Sequence, residues 1–226
     1  MKRIMIVSMV VGLLFASAMY GHAASLTKTQ GTSLLTLQTV GSGEVVLGSA
    51  TDVSTKLAAT VYVHVGRTAT TALTNGVKIR IEGSSKSSLD GHWYPLAEFI
   101  TGTAASTTTA TLTTGTTAGA TTLPMTTTAG IVIGDKVYIR EAGGETNSEF
   151  GRVKTVNTNT SVVIEDGTLF NHTITTTLVW SQAEMFTAQL DLTAVGRIRI
   201  VADAAYALSG QTTVVEAHMV TGDSIQ

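Results

Sequence analysis

The sequence predicts an all-β protein: an antiparallel β-sandwich into which a small β-barrel or meander domain is inserted. Three observations carry the prediction. Apolar and polar residues alternate with period two in run after run, the signature of half-buried strands. No segment beyond the N-terminal leader keeps a helical period, and Thr and Val, which lose rotamer freedom in helices, recur throughout. Only two prolines interrupt the chain, while Asn-Gly and Gly-Gly pairs punctuate the runs as turn formers.

The first element is not part of the fold. Residues 1–23 open with Lys2 and Arg3, continue with an apolar stretch over 4–18 and end in Gly21-His22-Ala23, a small-x-small site. This is the pattern of a secretory signal peptide. No later run is apolar and long enough to span a bilayer, so the processed chain is expected to be extracellular or at the cell surface, without a membrane partner.

From residue 24 to 102 the sequence reads as the first part of the sandwich. SLLTLQTV (33–40) alternates so that Leu35, Leu37 and Thr39 share one face and Leu34, Thr36, Gln38 and Val40 the other. TVYVHV (60–65) sets Val61, Val63 and Val65 against Thr60, Tyr62 and His64. GVKIRIEG (76–83) sets Val77, Ile79 and Ile81 against Lys78, Arg80 and Glu82. With Asn75-Gly76 between them, these two runs are expected to pair antiparallel across a long connection. A further strand follows over 93–100.

Residues 103–181 read as the inserted domain. The stretch STTTATLTTGTTAGATT (106–122) uses almost only Thr, Ala and Gly, but Ala110, Leu112, Ala120 and, just beyond it, Leu123 and Met125 supply apolar anchors. It is read as exposed β-structure, with thin strands near 109–113 and 121–123, because β-branched Thr suits a pleated surface. Strands at 131–141, 150–156 and 161–165 with explicit reversals between them, and another at 174–180, form a meander that must curl or close to be stable. The sandwich resumes over 182–226 with strands at 185–192, 197–202 and 212–220.

Composition excludes several functions. The formal charge is −2, only 13% of residues are charged, and no Lys/Arg run exists, which argues against a nucleic-acid partner. Cysteine is absent, removing disulfides, thiolate metal sites and a Cys nucleophile. A surface with so little charge offers little repulsion against self-association, and a homo-oligomer or homopolymer is expected.

Candidate chemistry is sparse. Asp90 precedes His92 by two, and Glu216 precedes His218 by two on one strand face, so each pair offers two ligand types; no third ligand is visible for either. His64 and His172 read as strand-face or surface histidines. Glu141, Glu145, Glu165 and Asp166 fall on turns of the inserted domain without a calcium-loop pattern. No G-x-S-x-G elbow or phosphate-cradling Gly loop occurs. The expectation is a non-enzyme with no catalytic, cofactor or metal site. Leu123-Pro124-Met125-Thr126-Thr127 looks like a sortase motif but sits mid-chain and is read as coincidence.

One resemblance extends over most of the chain beyond the leader. Gly134-Asp135 with Val137 and Ile139, Phe150-Gly151-Arg152-Val153-Lys154, Ser161 through Gly167 and His172 resemble β-domains of phage and prophage-like virion accessory proteins. GRTATTA, VKIRIEGS, HWYPLAEF and IRIVADAAYALSGQTTVVEAHMV are similar to sandwich segments of the same group. The resemblance implies a head or tail structural component; the secretory leader departs from that group and points to a related fold used outside the cell.

The expected function is thus an exported structural subunit that self-assembles into a filament or surface layer. The expected joint is donation of the strand 33–40, with Leu35, Leu37 and Thr39 as the assembly face, to a neighbour's sheet edge. The alternatives are pairing of that strand within its own domain, a surface glycan- or ligand-binding module, and a virion component.

Overall fold

The computed structural model describes residues 26–225, except 42, 69–71, 73–74, 87–91, 106–108, 142–145, 175–176 and 205–211. The expected signal peptide, residues 1–23, lies outside the described residues. Among the described residues thirteen strands form, and every pairing between them is antiparallel.

Eight strands make the sandwich. One sheet runs β1 (Leu26–Thr39), β13 (Thr213–Ile225), β3 (Lys56–Arg67), β11 (Leu178–Asp191); the other runs β2 (Gly43–Asp52), β12 (Arg197–Ala204), β4 (Lys78–Ser84), β5 (Tyr94–Ile100). Apart from the β4–β5 hairpin, each successive sandwich strand crosses to the opposite sheet, which is the connectivity of a jelly roll with two Greek keys. The core lies between the sheets. Val61, Val63 and Val65 from β3, with Leu190, Val215 and Ala217, face Ile79, Ile81, Ile198 and Ile200, all buried. The period-two reading of the β3 and β4 faces thus holds residue by residue.

Their expected pairing does not hold. β3 pairs with β11 and β13, while β4 pairs with β12 and β5, so the two lie in opposite sheets. Their apolar faces meet across the core instead of lying side by side. β2 was not legible: it is an edge strand with mostly exposed positions, and Gly48, at φ 66°, sits where its register against β12 shifts.

β1 lies at the edge of the first sheet and pairs with the chain's own β13. Register shifts between Ser33 and Leu35 and between Leu35 and Gln38 break the simple alternation expected there, because each bulge turns the following side chain to the other face. Leu34 and Leu35 are both buried in the sandwich core, Leu37 is half-buried in a separate cluster, and Thr39 is exposed.

The chain between β5 and β11 forms a curled second unit. β8 (Lys136–Arg140), β9 (Glu149–Asn157), β10 (Ser161–Ile164) and β7 (Thr122–Pro124) continue the sheet from the first turn of β11, whose Leu178–Trp180 also pairs on its other side with β6 (Thr109–Thr111). A bridge between Leu112 and Met125 joins β6 to β7, so the sheet closes on itself as a small barrel. Its interior holds Leu112, Leu123, Met125, Val137, Ile139, Val153, Val162 and Val179. Leu123 and Met125 of the sortase-like pentapeptide are thus core residues. The threonine-rich stretch contributes β6 and the start of β7; among its described residues only Ala110 and Leu112 are buried in the barrel core, with Leu123 just beyond it, which accounts for its small alphabet.

The two predicted strands at 174–180 and 185–192 are one strand, β11, irregular at Gln182 (φ 64°), where its pairing with β8 shifts. β11 is therefore shared: its start belongs to the barrel and its end to the sandwich.

Candidate functional site

The barrel folds back against the outer face of the first sandwich sheet. The approach is close at Gly66 on β3, where a Cβ would stand 2.7 Å from Tyr138 and 3.0 Å from Val214. Tyr138, Trp180, Ala183 and Val214 form the apolar seam, with Leu37, Phe150 and Leu178 packed on it. The Phe150 ring lies 5.3 Å from that of Tyr138 and 5.4 Å, edge-on, from that of His64. Beside this seam opens a cleft of about 700 Å³, within the size range of small-molecule sites.

The sheet register builds the cleft floor. His64 on β3 stands directly opposite Glu216 on β13 and, on its other side, opposite Met185 on β11. Cross-strand partners of this kind bring side chains to about 5 Å, within reach of each other. Glu216 Oε1 is 3.0 Å from His64 Nδ1 and 3.5 Å from His218 Nε2. The predicted pair Glu216 and His218 thus gains His64 as a third member, which sequence spacing did not show because the partner comes from a strand far away in the chain. Burial pushes the Glu216 carboxyl up, but hydrogen bonds from His218 and His64 outweigh it and hold the group at about 2. The hydrogen bond that His218 donates to Glu216 raises the imidazole above its ordinary value, against the effect of burial. Leu35, Leu37, Phe150 and Phe170 supply apolar wall, and Lys136, Arg152, Glu165 and Asp166 also border the cleft.

A second polar cluster lies inside the barrel unit. His172, its side chain fully buried, has Nε2 2.6 Å from Glu149 Oε1 and Nδ1 3.3 Å from Glu141 Oε2. Thr173 and Thr177 hydroxyls donate to Glu141, and the Leu169 amide donates to Glu149 at 2.7 Å. Burial pushes Glu141 up and His172 down, but these bonds win in both cases: Glu141 falls to about 2 and His172 rises. His172 is therefore an internal strut and not the surface histidine expected.

A third cluster ties the units together. Arg67 at the end of β3, 3% exposed, donates to Glu184 at 3.0 Å and to the Gly102 carbonyl, while the Gly102 amide donates back to Glu184. Gly102 begins the connection from β5 into the barrel, so this pair fixes where the insertion departs.

His92 is exposed and Asp90 lies outside the described residues, as does Glu145. Of the proposed acidic turn group, Glu141 is engaged by His172 and Glu165 by Arg152 at 3.0 Å. Among the described residues no group of three or more His, Cys, Asp or Glu side chains is placed so that it could hold a metal ion.

Comparison with known proteins returns little. No family model and no curated protein matches the chain. Two solved structures are similar over most of its length: VP17, a capsid protein of bacteriophage P23-77, at 10% identity over 89% of this chain and 100% of that one, with a TM-score of 0.20; and the infectious bursal disease virus Gt strain structure, at 11% identity over 88% and 81%, with a TM-score of 0.23. Both are viral proteins, and superpositions this loose carry no weight in assigning a role.

Proposed function

We propose that this chain is a non-enzymatic structural subunit, exported by its leader, that assembles with copies of itself into a surface layer or filament. Jelly rolls serve both as shell-building modules and as sugar-binding modules, so the fold by itself does not choose. The observation that carries the structural reading is the internal use of the buried charges. Arg67 with Glu184 holds Gly102, where the chain leaves the sandwich for the barrel, and His172 with Glu141 and Glu149 fixes the barrel's own loops. Buried ion pairs of this kind contribute little net stability but penalise any other arrangement of the parts, as a rigid building block requires.

Assembly through donation of residues 33–40 would have to replace the pairing of β1 with its own β13, whereas the open edge of β1 is available for pairing without exchange. The test is sedimentation and negative-stain microscopy of the chain from residue 24 as concentration is raised. Ordered sheets, shells or fibres are the expected result; monomers at every concentration would overturn the proposal. Removal of residues 25–40 separates the two modes, since a donated strand would leave folded, unassembled protein and an internal one would unfold the sandwich.

The cleft favours a second reading, a ligand-binding surface module, in which the sandwich presents the His64 and Glu216 floor and the Phe150 wall to a small polar ligand.

A further inference from the structure

We propose that the cleft between the barrel and the first sandwich sheet binds an uncharged saccharide through its hydroxyl groups. The inference rests on the reading of that cleft as a ligand site and names the class of ligand.

The floor is a set of acceptors. Glu216 is ionised across the neutral range, so the imidazole nitrogens beside it donate: His64 Nδ1 at 3.0 Å and His218 Nε2 at 3.5 Å, both to Oε1. A neutral imidazole that donates from one nitrogen accepts at the other. His64 Nε2, His218 Nδ1 and the second carboxylate oxygen of Glu216 are thus left to receive hydrogen bonds. The register gathers them on one sheet face, since His64 stands opposite Glu216 and His218 follows two residues along the same strand. All three side chains border the cleft and keep part of their surface open, 24% for His64, 18% for Glu216 and 45% for His218.

The rim supplies donors. Lys136 and Arg152 stand directly opposite each other on β8 and β9, and both border the cleft. The Lys136 ammonium makes no hydrogen bond among the described residues, and Arg152 gives Glu165 only Nη1. The ammonium and the rest of the guanidinium are therefore left to donate.

An ion of either sign meets part of this lining unfavourably. An ammonium ion would suit the floor but faces Lys136 and Arg152; a carboxylate or phosphate would suit those cations but faces Glu216, Glu165 and Asp166. A hydroxyl both donates and accepts and carries no charge, so a molecule with several of them answers floor and rim together. The walls agree with a sugar ring. Leu37, Phe150, Phe170 and Leu169, the last 73% exposed, offer apolar surface to its C–H face. The volume, about 700 Å³, lies in the range that holds a ligand of disaccharide size.

The experiment is titration of the chain from residue 24, followed through the imidazole proton resonances. The probes are the uncharged disaccharides cellobiose, maltose, lactose and di-N-acetylchitobiose, and two ions without hydroxyls, tetramethylammonium and acetate. At least one disaccharide is expected to shift the His64 and His218 resonances saturably at millimolar concentration and to leave those of the buried His172 in place, while the ions give no saturable shift. His218→Ala, at a half-exposed position that should fold normally, is expected to weaken the binding about three- to tenfold through the lost acceptor. Arg152→Ala should act similarly through the lost donors, and Lys78→Ala, on the outer face of the other sheet, should leave binding unchanged. Saturable binding of either ion without any disaccharide would overturn the saccharide while leaving the cleft a ligand site. No saturable shift from any probe would overturn both. Disaccharide binding that His218→Ala and Arg152→Ala leave intact, or shifts confined to other histidines, would also overturn the proposal.

Discussion

The sandwich and the barrel draw on the same restricted set of residues but close their interiors differently. Between the facing sheets the packing is apolar, mostly aliphatic side chains such as Val61, Ile79, Ile81, Ile198 and Ile200 with the stacked rings of Phe99 and Phe186 against them, and the charged residues of β4 and β12 stay on the outer face. There Arg80 pairs with Glu44 and Glu82, and Arg199 pairs with Glu82 and lies 4.2 Å above the Trp93 ring. The barrel also has an aliphatic centre, but it fixes its connecting loops with a fully buried imidazole between two carboxylates. The difference follows from size. Two broad sheets can exclude water with apolar area alone, whereas short strands such as β6, β7 and β10 cannot, and their loops need directional bonds to hold one arrangement. Specificity in the barrel therefore depends on charge, and in the sandwich on packing.

That contrast breaks most sharply at His172. Replacing it with Leu leaves Glu141 and Glu149 without their central partner, and loss of one member of a buried ionic cluster typically costs about 3–5 kcal/mol. Unfolding followed by separate probes should show Trp180 and the barrel melting early while the sandwich persists; a single unshifted transition would mean the cluster is not structural.

Cavity-forming changes sharpen the comparison further. Ile198→Ala and Leu123→Ala each empty a site of zero exposure, at an expected cost of about 2–5 kcal/mol. The first should lower the stability of the whole chain, because the barrel hangs from β11 in the sandwich. The second should lower the barrel alone. Hydrogen exchange resolved along β10 and β12 distinguishes these outcomes.

The seam itself is probed at Gly66. A methyl group there meets Tyr138 at 2.7 Å, so Gly66→Ala is expected to cost about 1–3 kcal/mol by overpacking and to loosen the barrel from the sheet. Fluorescence of Trp180, in the seam, should report the loosening.

Acidity is a gentler lever, and its sign follows from the pairs. Glu141 and Glu216 are held at about 2 against an ordinary 4.5, so their stabilisation is present above 4.5 and is lost as pH falls from there toward 2. His172 and His218 are raised above 6.5, so theirs is complete below 6.5 and is lost as pH climbs through the raised values. Tm should therefore be highest between about 4.5 and 6.5 and fall on both sides. His172→Gln should flatten much of the alkaline fall. The smallest effect is expected at the exposed pair Lys78–Glu98, where Lys78→Ala should change stability by less than about 1 kcal/mol.

What the sequence determined by itself is the all-β class, the position of most strands and which side chains of a strand face inward. Alternation is a local property of the pleat: Val61, Val63 and Val65 announce their burial without reference to any other part of the chain. The curled meander was legible for the same reason, since its turns lie between neighbouring strands. The tertiary structure alone decided which strands pair, because the alternation of β3 and β4 suits opposite sheets as well as adjacent ones, and the jelly-roll crossing takes the first option. It alone set the bulges that put both Leu34 and Leu35 into the core, since a register shift depends on the partner strand. It alone assembled the polar clusters, because His64 and Glu216 lie 152 residues apart, and Glu149 and His172 meet only when the barrel closes. Side-chain chemistry made at a distance leaves no period in a sequence; only register brings it to one place.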